Sequence, residues 1–188
     1  MKKLQECDFV TAANLLACEV EAIKAVAEVE SPGSGFNTDG RPKILFERHY
    51  FHRLTNGKFS KQFPSISNSV PGGYGASANQ HARLEQAAKL DREAALQSAS
   101  WGKFQIMGSH WKALGYTSIQ EFINAMYASE TEHLMAFVKF VKVNGLSDEL
   151  QRKDWAGFAR GYNGSNYHIN KYDQKMAVAY NKYKNKLQ

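Results

Sequence analysis

One carboxylate, Glu30, stands where an apolar side chain is expected. Val26 follows Ile23 by three residues and Ala27 follows it by four, so all three share one face of a predicted helix. Glu30 follows Ala27 by three residues, continues that apolar stripe and precedes a glycine-rich turn at residues 31–35. Burial on such a face disfavours the charged form of a carboxyl group and raises its pKa. A carboxyl with a raised pKa suits the general acid that cleaves a glycosidic bond.

Two more acidic residues follow at short range and are candidates for a second catalytic carboxylate. Asp39 lies in the glycine-rich stretch that continues to Gly40, and Glu47 lies in the segment ILFERHYF. A glycosidase places its two carboxyl groups about 5–5.5 Å apart when it retains configuration and about 6.5–9.5 Å apart when it inverts. Asp39 equally fits a turn-forming aspartate. Glu47 equally fits an ion pair with a nearby arginine, and the candidates are Arg41, Arg48 and Arg53. The sequence leaves the choice between them open.

Two later segments contain residues suited to binding a glycan. In SASWGKFQIM, Trp101 offers an aromatic face for stacking on a sugar, and the amide of Gln105 offers both a donor and an acceptor. In ARGYNG, Tyr162 and Asn163 precede a glycine and would present a phenol and an amide at a helix end. The alternatives are that Trp101 belongs to the hydrophobic core and that the second segment is a plain helix stop.

These segments, taken in order, resemble a lysozyme-like glycan hydrolase. FERHYF and SASWGKFQIM are similar to signature stretches of the N-acetylmuramidase family found among phage endolysins, and the resemblance covers the chain from about residue 10. More distantly, the helix end at Glu30, the segment Gln105 to Met107, and the pair Tyr162 and Asn163 resemble motifs of goose-type lysozymes and soluble lytic transglycosylases.

The resemblance implies an enzyme that cuts the β-1,4 bond between N-acetylmuramic acid and N-acetylglucosamine in peptidoglycan, with Glu30 as its catalytic acid. The spacing from Glu30 to Asp39 is similar to that of phage-type lysozymes, but Leu45 stands where those enzymes place a threonine. That departure keeps Glu47 as a candidate beside Asp39. One alternative is a lytic transglycosylase, which needs only one acid and gives 1,6-anhydro products. Another is a non-enzymatic, cationic membrane-perturbing protein.

The elements that position these residues are mainly α-helical. The pattern predicts a lysozyme-like helical domain with a small β-hairpin region near residues 34–47, which is where we expect all of the β structure. Predicted helices cover residues 8–17, 19–31, 48–55, 77–90, 91–99, 109–114, 129–144 and 171–187, with further helix starts at Ser118, Ser147 and Asp154. We expect a single domain over residues 1–188, without a separate wall-binding module.

Composition limits the class of protein and its partners. The 188 residues carry a net charge of +6, which favours an anionic polymer or surface as partner. No apolar run approaches the ~20 residues that cross a bilayer, and the N-terminus lacks the features of a signal peptide. We therefore expect synthesis in the cytoplasm of the producing host cell and action on the wall after release. Cys7 and Cys18 are predicted to be free thiols.

No motif indicates a metal, a cofactor or a nucleic-acid partner, and we expect a monomer. The predicted C-terminal helix, residues 171–187, has a basic side and an adjacent apolar and aromatic stripe. The basic side consists of Lys171, Lys175, Lys182 and Lys186, and the stripe of Met176, Tyr180, Tyr183 and Leu187. Such a helix can contact an anionic membrane or lipopolysaccharide. The alternative is that the stripe packs on the core and the lysines are solvated.

Overall fold

The computed structural model describes residues 3–30 and 33–185, and the statements below concern those residues. The helices are α1 (Glu6–Leu16), α2 (Val20–Glu30), α3 (Arg48–Leu54), α4 (Gln80–Leu90), α5 (Arg92–Gln97), α6 (Ile119–Ala128), α7 (Glu130–Val143), α8 (Ser147–Arg152), α9 (Trp155–Asn163) and α10 (Tyr172–Asn185). The strands are β1 (Ile44–Phe46), β2 (Ala99–Trp101) and β3 (Ile106–Met107). The prediction of a mainly α chain is confirmed.

Parts of two predicted features lie outside the described residues. They are Ser31 and Pro32 of the turn after Glu30, and Lys186 and Leu187 of the C-terminal helix. Within the described residues, no helix is both long enough and apolar enough to span a membrane.

The chain forms two compact units. The first consists of Met1–Gly35 and Ser129–Gln188, and the second of Phe36–Ala128. A single domain over residues 1–188 stays a prediction.

In the first unit, α2 packs against α1 and α10, while α7 packs on α1 and α9 on α10. The predicted apolar face of α2 is confirmed, because Ile23, Val26 and Ala27 are buried. Leu134 and Phe137 of α7 are likewise buried, as their helical spacing predicts. The core of this unit therefore fixes α2, the helix that ends at Glu30.

Helix α10 is held against α2 by polar contacts as well as by packing. Met176 is buried, and the Tyr180 hydroxyl donates a hydrogen bond to Glu19 Oε2 at 2.8 Å. Hydrogen bonds from Lys153, Lys184 and that tyrosine lower the pKa of Glu19 to about 2. The sequence left open whether the apolar stripe of the C-terminal helix packs on the core or contacts a membrane. Met176, a member of this stripe, packs on the core.

In the second unit, the three strands form an antiparallel sheet in the order β1, β2, β3. Ile44 pairs with Trp101, and Trp101 pairs with Ile106. An isolated bridge between Phe36 and Pro42 closes the predicted hairpin region near residues 34–47. The expectation that all β structure lies near residues 34–47 is wrong. SASWGKFQIM, for which the sequence predicted no strand, supplies two strands, because β2 and β3 pair with each other across a tight turn and β2 also pairs with β1.

A buried glutamate, Glu130, anchors the segment that follows α2. It is the first residue of α7, is 4% exposed and accepts hydrogen bonds from Gly35 N at 2.6 Å and Ser34 Oγ at 3.0 Å. Leu4 N donates a third bond at 3.4 Å. A helix N-terminus favours a negative charge, so the position suits an ionised side chain. Glu130 therefore joins the residues just after Glu30 to the start of α7.

We expect Glu130→Gln to destabilise the protein by about 1–3 kcal/mol, because an amide offers one acceptor oxygen where a carboxylate offers two. Chemical denaturation followed by circular dichroism measures the change in the free energy of unfolding. Glu132→Gln, on the same helix turn and half-buried, is the matched control and should change it by less than about 0.5 kcal/mol. Equal stabilities for the two variants would contradict the anchoring role of Glu130.

Candidate active site

Glu30 is the last residue of α2, and its carboxyl group is partly buried. Asn163 Nδ2 donates a hydrogen bond to Glu30 Oε1 at 2.9 Å. Burial raises the pKa of Glu30, while the Asn163 hydrogen bond and the charge of Lys175 lower it in part. The net effect is a raised pKa, so more of this carboxyl is protonated near neutral pH than for an exposed glutamate. A protonated carboxyl at this position can donate a proton to a bound oxygen.

Asn163 is placed by the end of helix α9. The helix has its N-cap at Asp154, whose Oδ1 accepts a hydrogen bond from Gly157 N at 2.9 Å, as the sequence predicts. It ends at Asn163, and Gly164 follows with a φ of +81°, a conformation that favours glycine. The predicted helix end at Asn163 is therefore present, and it also places the Asn163 amide within hydrogen-bond distance of Glu30.

Tyr162 lies beside Asn163 and is packed among aromatic rings. Its ring stacks on Phe158 at 5.6 Å and meets Phe137 and Phe140 edge-on at 5.7 and 5.5 Å between ring centroids. Burial, and then the charge of Glu30, raises the pKa of Tyr162 well above its usual value. The phenol therefore stays neutral close to Glu30. The structure thus brings together Glu30, Tyr162 and Asn163, three of the residues that the sequence predicts for the site.

Two residues near Glu30 were missed by the sequence reasoning. The charge of Lys175 lowers the pKa of Glu30, and the charge of Glu30 contributes, after burial, to a raised pKa of Tyr172. Lys175 was assigned only to a basic helix side. Both residues lie in the first turns of α10, and they approach Glu30 because that helix packs along α2. No local motif predicts that packing.

Asp39 belongs to the second unit, and its side chain is 46% exposed. Its Oδ1 accepts a hydrogen bond from Arg41 N at 3.0 Å, and its Oδ2 accepts one from Arg41 Nε at 2.8 Å. The backbone and side-chain hydrogen bonds from Arg41 lower the pKa of Asp39. This is the geometry of a turn-forming aspartate that is ionised and already paired.

Glu47, also in the second unit, has a different environment, with a side chain that is 15% exposed. Burial raises the pKa of Glu47, and the neighbouring His49 and Tyr74 lower it in part. His49 Nδ1 lies 3.2 Å from Glu47 Oε2, but the described residues give neither atom a hydrogen bond.

The arginines that the sequence offered as partners of Glu47 are engaged elsewhere. Arg41 pairs with Asp39, Arg48 Nε donates to Val70 O at 3.2 Å, and the Arg53 guanidinium lies 4.3 Å from the centroid of the Tyr50 ring. Arg83, which the sequence did not suggest, is the arginine whose charge acts on Glu47.

The two predicted binding residues of the β2–β3 hairpin have structural roles. Trp101 is 1% exposed, and its Nε1 donates to Leu96 O at 3.1 Å. A buried indole presents no face to a sugar, so the core alternative holds for Trp101 and the stacking role does not. Gln105 is exposed, but its Oε1 accepts from Ser100 Oγ and its Nε2 donates to Gly102 O, both at 2.8 Å. Its amide therefore closes the hairpin turn.

A mainly helical chain with a partly buried carboxyl at a helix end has the architecture of a lysozyme-like glycoside hydrolase. The family model of the N-acetylmuramidases matches residues 19–184, so the chain belongs to the N-acetylmuramidase family. The crystal structure of the Burkholderia AP3 phage endolysin is similar, with 44% sequence identity and a TM-score of 0.93. That match covers 97% of this chain and 72% of the endolysin chain. A comparison with the curated proteins gave no match. The family resemblance drawn from the sequence is confirmed.

We expect Asn163→Ala to raise the pKa of Glu30, because the lost hydrogen bond stabilises the charged carboxylate. NMR titration of ¹³C-labelled glutamate side chains measures this pKa directly. Asn166→Ala, at an exposed position three residues further on, is the control and should leave the titration unchanged. An unchanged or lowered pKa in Asn163→Ala would show that this hydrogen bond does not tune Glu30.

Proposed function

We propose that the protein is an endolysin-type muramidase that hydrolyses the β-1,4 bond between N-acetylmuramic acid and N-acetylglucosamine in bacterial peptidoglycan. The observation that carries the proposal is the Glu30 carboxyl, partly buried, raised in pKa and bound by Asn163, in a chain of the N-acetylmuramidase family. Its synthesis in a host cytoplasm and release to the wall belong to the same proposal, as does a monomeric state.

In this mechanism Glu30 protonates the glycosidic oxygen as the bond to the leaving sugar breaks. The leaving group departs as an alcohol, and positive charge develops on the remaining sugar ring. Loss of the proton makes Glu30 an anion, which the Asn163 hydrogen bond and the Lys175 charge stabilise. The same two contacts that limit the rise of its pKa therefore lower the energy of the carboxylate formed in the reaction.

For the second carboxylate we favour Glu47 over Asp39. No described residue donates a hydrogen bond to Glu47 Oε2, a buried atom that lies 3.2 Å from His49 Nδ1. Both oxygens of Asp39 already accept hydrogen bonds from Arg41. The raised pKa of Glu47 also makes it a stronger base than Asp39, whose pKa is lowered.

Contact with an anionic membrane or lipopolysaccharide through residues 171–187 remains a prediction from the sequence. Lys182 and Lys184 form ion pairs with Glu28 and Glu19, which reduces the charge available to a membrane. Lys171 and Lys175 are exposed.

We expect Glu30→Gln to lower kcat by at least about 100-fold, because an amide has no acidic proton to donate. Clearance of a suspension of purified peptidoglycan measures the rate, and mass spectrometry of the fragments distinguishes hydrolysis, which adds water, from cyclisation to 1,6-anhydro sugars. Glu21→Gln, near the other end of the same helix, should keep full activity. Substantial clearance by a folded Glu30→Gln variant would remove Glu30 from the mechanism.

We expect Glu47→Gln to reduce kcat more than Asp39→Asn does, by about tenfold or more. The two isosteric variants are compared in the same clearance assay, with circular dichroism as a check that both are folded. The opposite order would assign the second role to Asp39. Full activity in both variants would leave Glu30 as the single carboxylate in the reaction.

A further inference from the structure

We propose that a groove between α2 and α10 binds the acidic stem peptide that peptidoglycan carries on its muramic acid. This inference rests on the proposed function and names a second part of the same substrate. The groove has a volume of about 570 Å³ and lies within the first unit. Val29 and Glu28 line it from α2, and Lys171, Lys175, Val178 and Lys182 line it from the start and the length of α10.

The lining of the groove combines apolar and cationic side chains. Val29, Val178 and Ala179 are its apolar members, and Val178 is 69% exposed. Lys182 is neutralised by Glu28, with Nζ–O distances of 2.8 and 2.9 Å. Lys171 and Lys175 are exposed and form no ion pair with a described residue, so they supply the available positive charge.

The position of the groove relates it to the reaction. Val29 immediately precedes Glu30, and Lys175 is close enough for its charge to act on the Glu30 carboxyl. The stem peptide is attached through the lactyl group of the muramic acid, the sugar whose glycosidic oxygen Glu30 is proposed to protonate. With this sugar bound at Glu30, we expect its peptide to enter the neighbouring groove.

The chemistry of the stem peptide matches the lining of the groove. Stem peptides carry free carboxylates and the methyl groups of alanine residues, which suit two exposed lysines and the valine side chains of the lining. A membrane fits less well, because Met176 and Ala179 of α10 are buried within the protein. Val178 is the one large aliphatic side chain that is strongly exposed among the described residues of α10.

The test compares two substrates that share the glycan. One is intact peptidoglycan, and the other is the same glycan strands after an amidase has removed the stem peptides. We expect the double variant Lys171→Glu/Lys175→Glu to raise KM for intact peptidoglycan about five- to tenfold more than KM for the peptide-free strands. Any effect of Lys175 on the Glu30 pKa acts on both substrates and cancels in this ratio. Lys89→Glu, an exposed charge reversal in the second unit, is the control and should leave the ratio unchanged.

The outcomes separate this inference from the proposed function. If the wild-type protein cleaves neither substrate, the proposed function fails. If it cleaves both and the double variant raises the two KM values equally, the function stands and the groove does not bind the peptide. Cosedimentation with phosphatidylglycerol vesicles tests the membrane alternative. Loss of vesicle binding in the double variant, with an unchanged substrate ratio, would assign these lysines to a membrane and overturn the inference.

Discussion

The candidate site depends on one balance, between the burial of the Glu30 carboxyl and the hydrogen bond that Asn163 donates to it. Burial without a donor would make the charged form too costly once the proton has left. Several strong donors would instead hold the carboxyl ionised, as Arg41 does for Asp39. The Asn163 amide and the charge of Lys175 leave the pKa of Glu30 raised while still supporting the anion. A general acid must be able to exist in both states.

Maintaining this balance requires elements from distant parts of the sequence. Glu30 ends α2, Asn163 ends α9, and Lys175 lies in α10, so three helices must meet with the right faces. The contacts of Glu19 with Tyr180 and Lys184 hold α10 on α2 at the far end of the pair. Polar contacts remote from Glu30 therefore determine the surroundings of its carboxyl, since they fix the helix that carries Lys175.

The sequence predicted those features that are encoded locally. The apolar spacing around Ile23 and Val26 identified both α2 and the unusual position of Glu30, because helical periodicity is a property of neighbouring residues. Asp154 was likewise predicted as an N-cap from its residue type. Strands β2 and β3 were missed because they are very short and because β2, with which β3 pairs, depends on pairing with β1, which is distant in the sequence. The burial of Trp101 follows from the same pairing.

The surroundings of several acidic side chains could not be predicted from the sequence. Nothing near Glu130 indicates burial, since it stands at a helix start where acidic residues are common and usually solvated. Its partners, Ser34 and Gly35, are more than 90 residues earlier, at separations of 96 and 95. Arg41 is only two residues from Asp39 in the sequence. That it donates hydrogen bonds to both oxygens of Asp39, which favours Glu47 as the second carboxylate, is known only from the positions of the side-chain atoms.

The discontinuous first unit has a consequence for how the chain folds during its synthesis. The second unit, Phe36–Ala128, is continuous and can complete its contacts before the residues that follow it leave the ribosome. The first unit cannot, because α1 and α2 must wait for α7 to α10. Glu30 acquires Asn163 only after 133 further residues have been added. The order of translation thus delays formation of the contact between Glu30 and Asn163, so a growing chain that has not yet reached Asn163 contains the candidate acid without its partner.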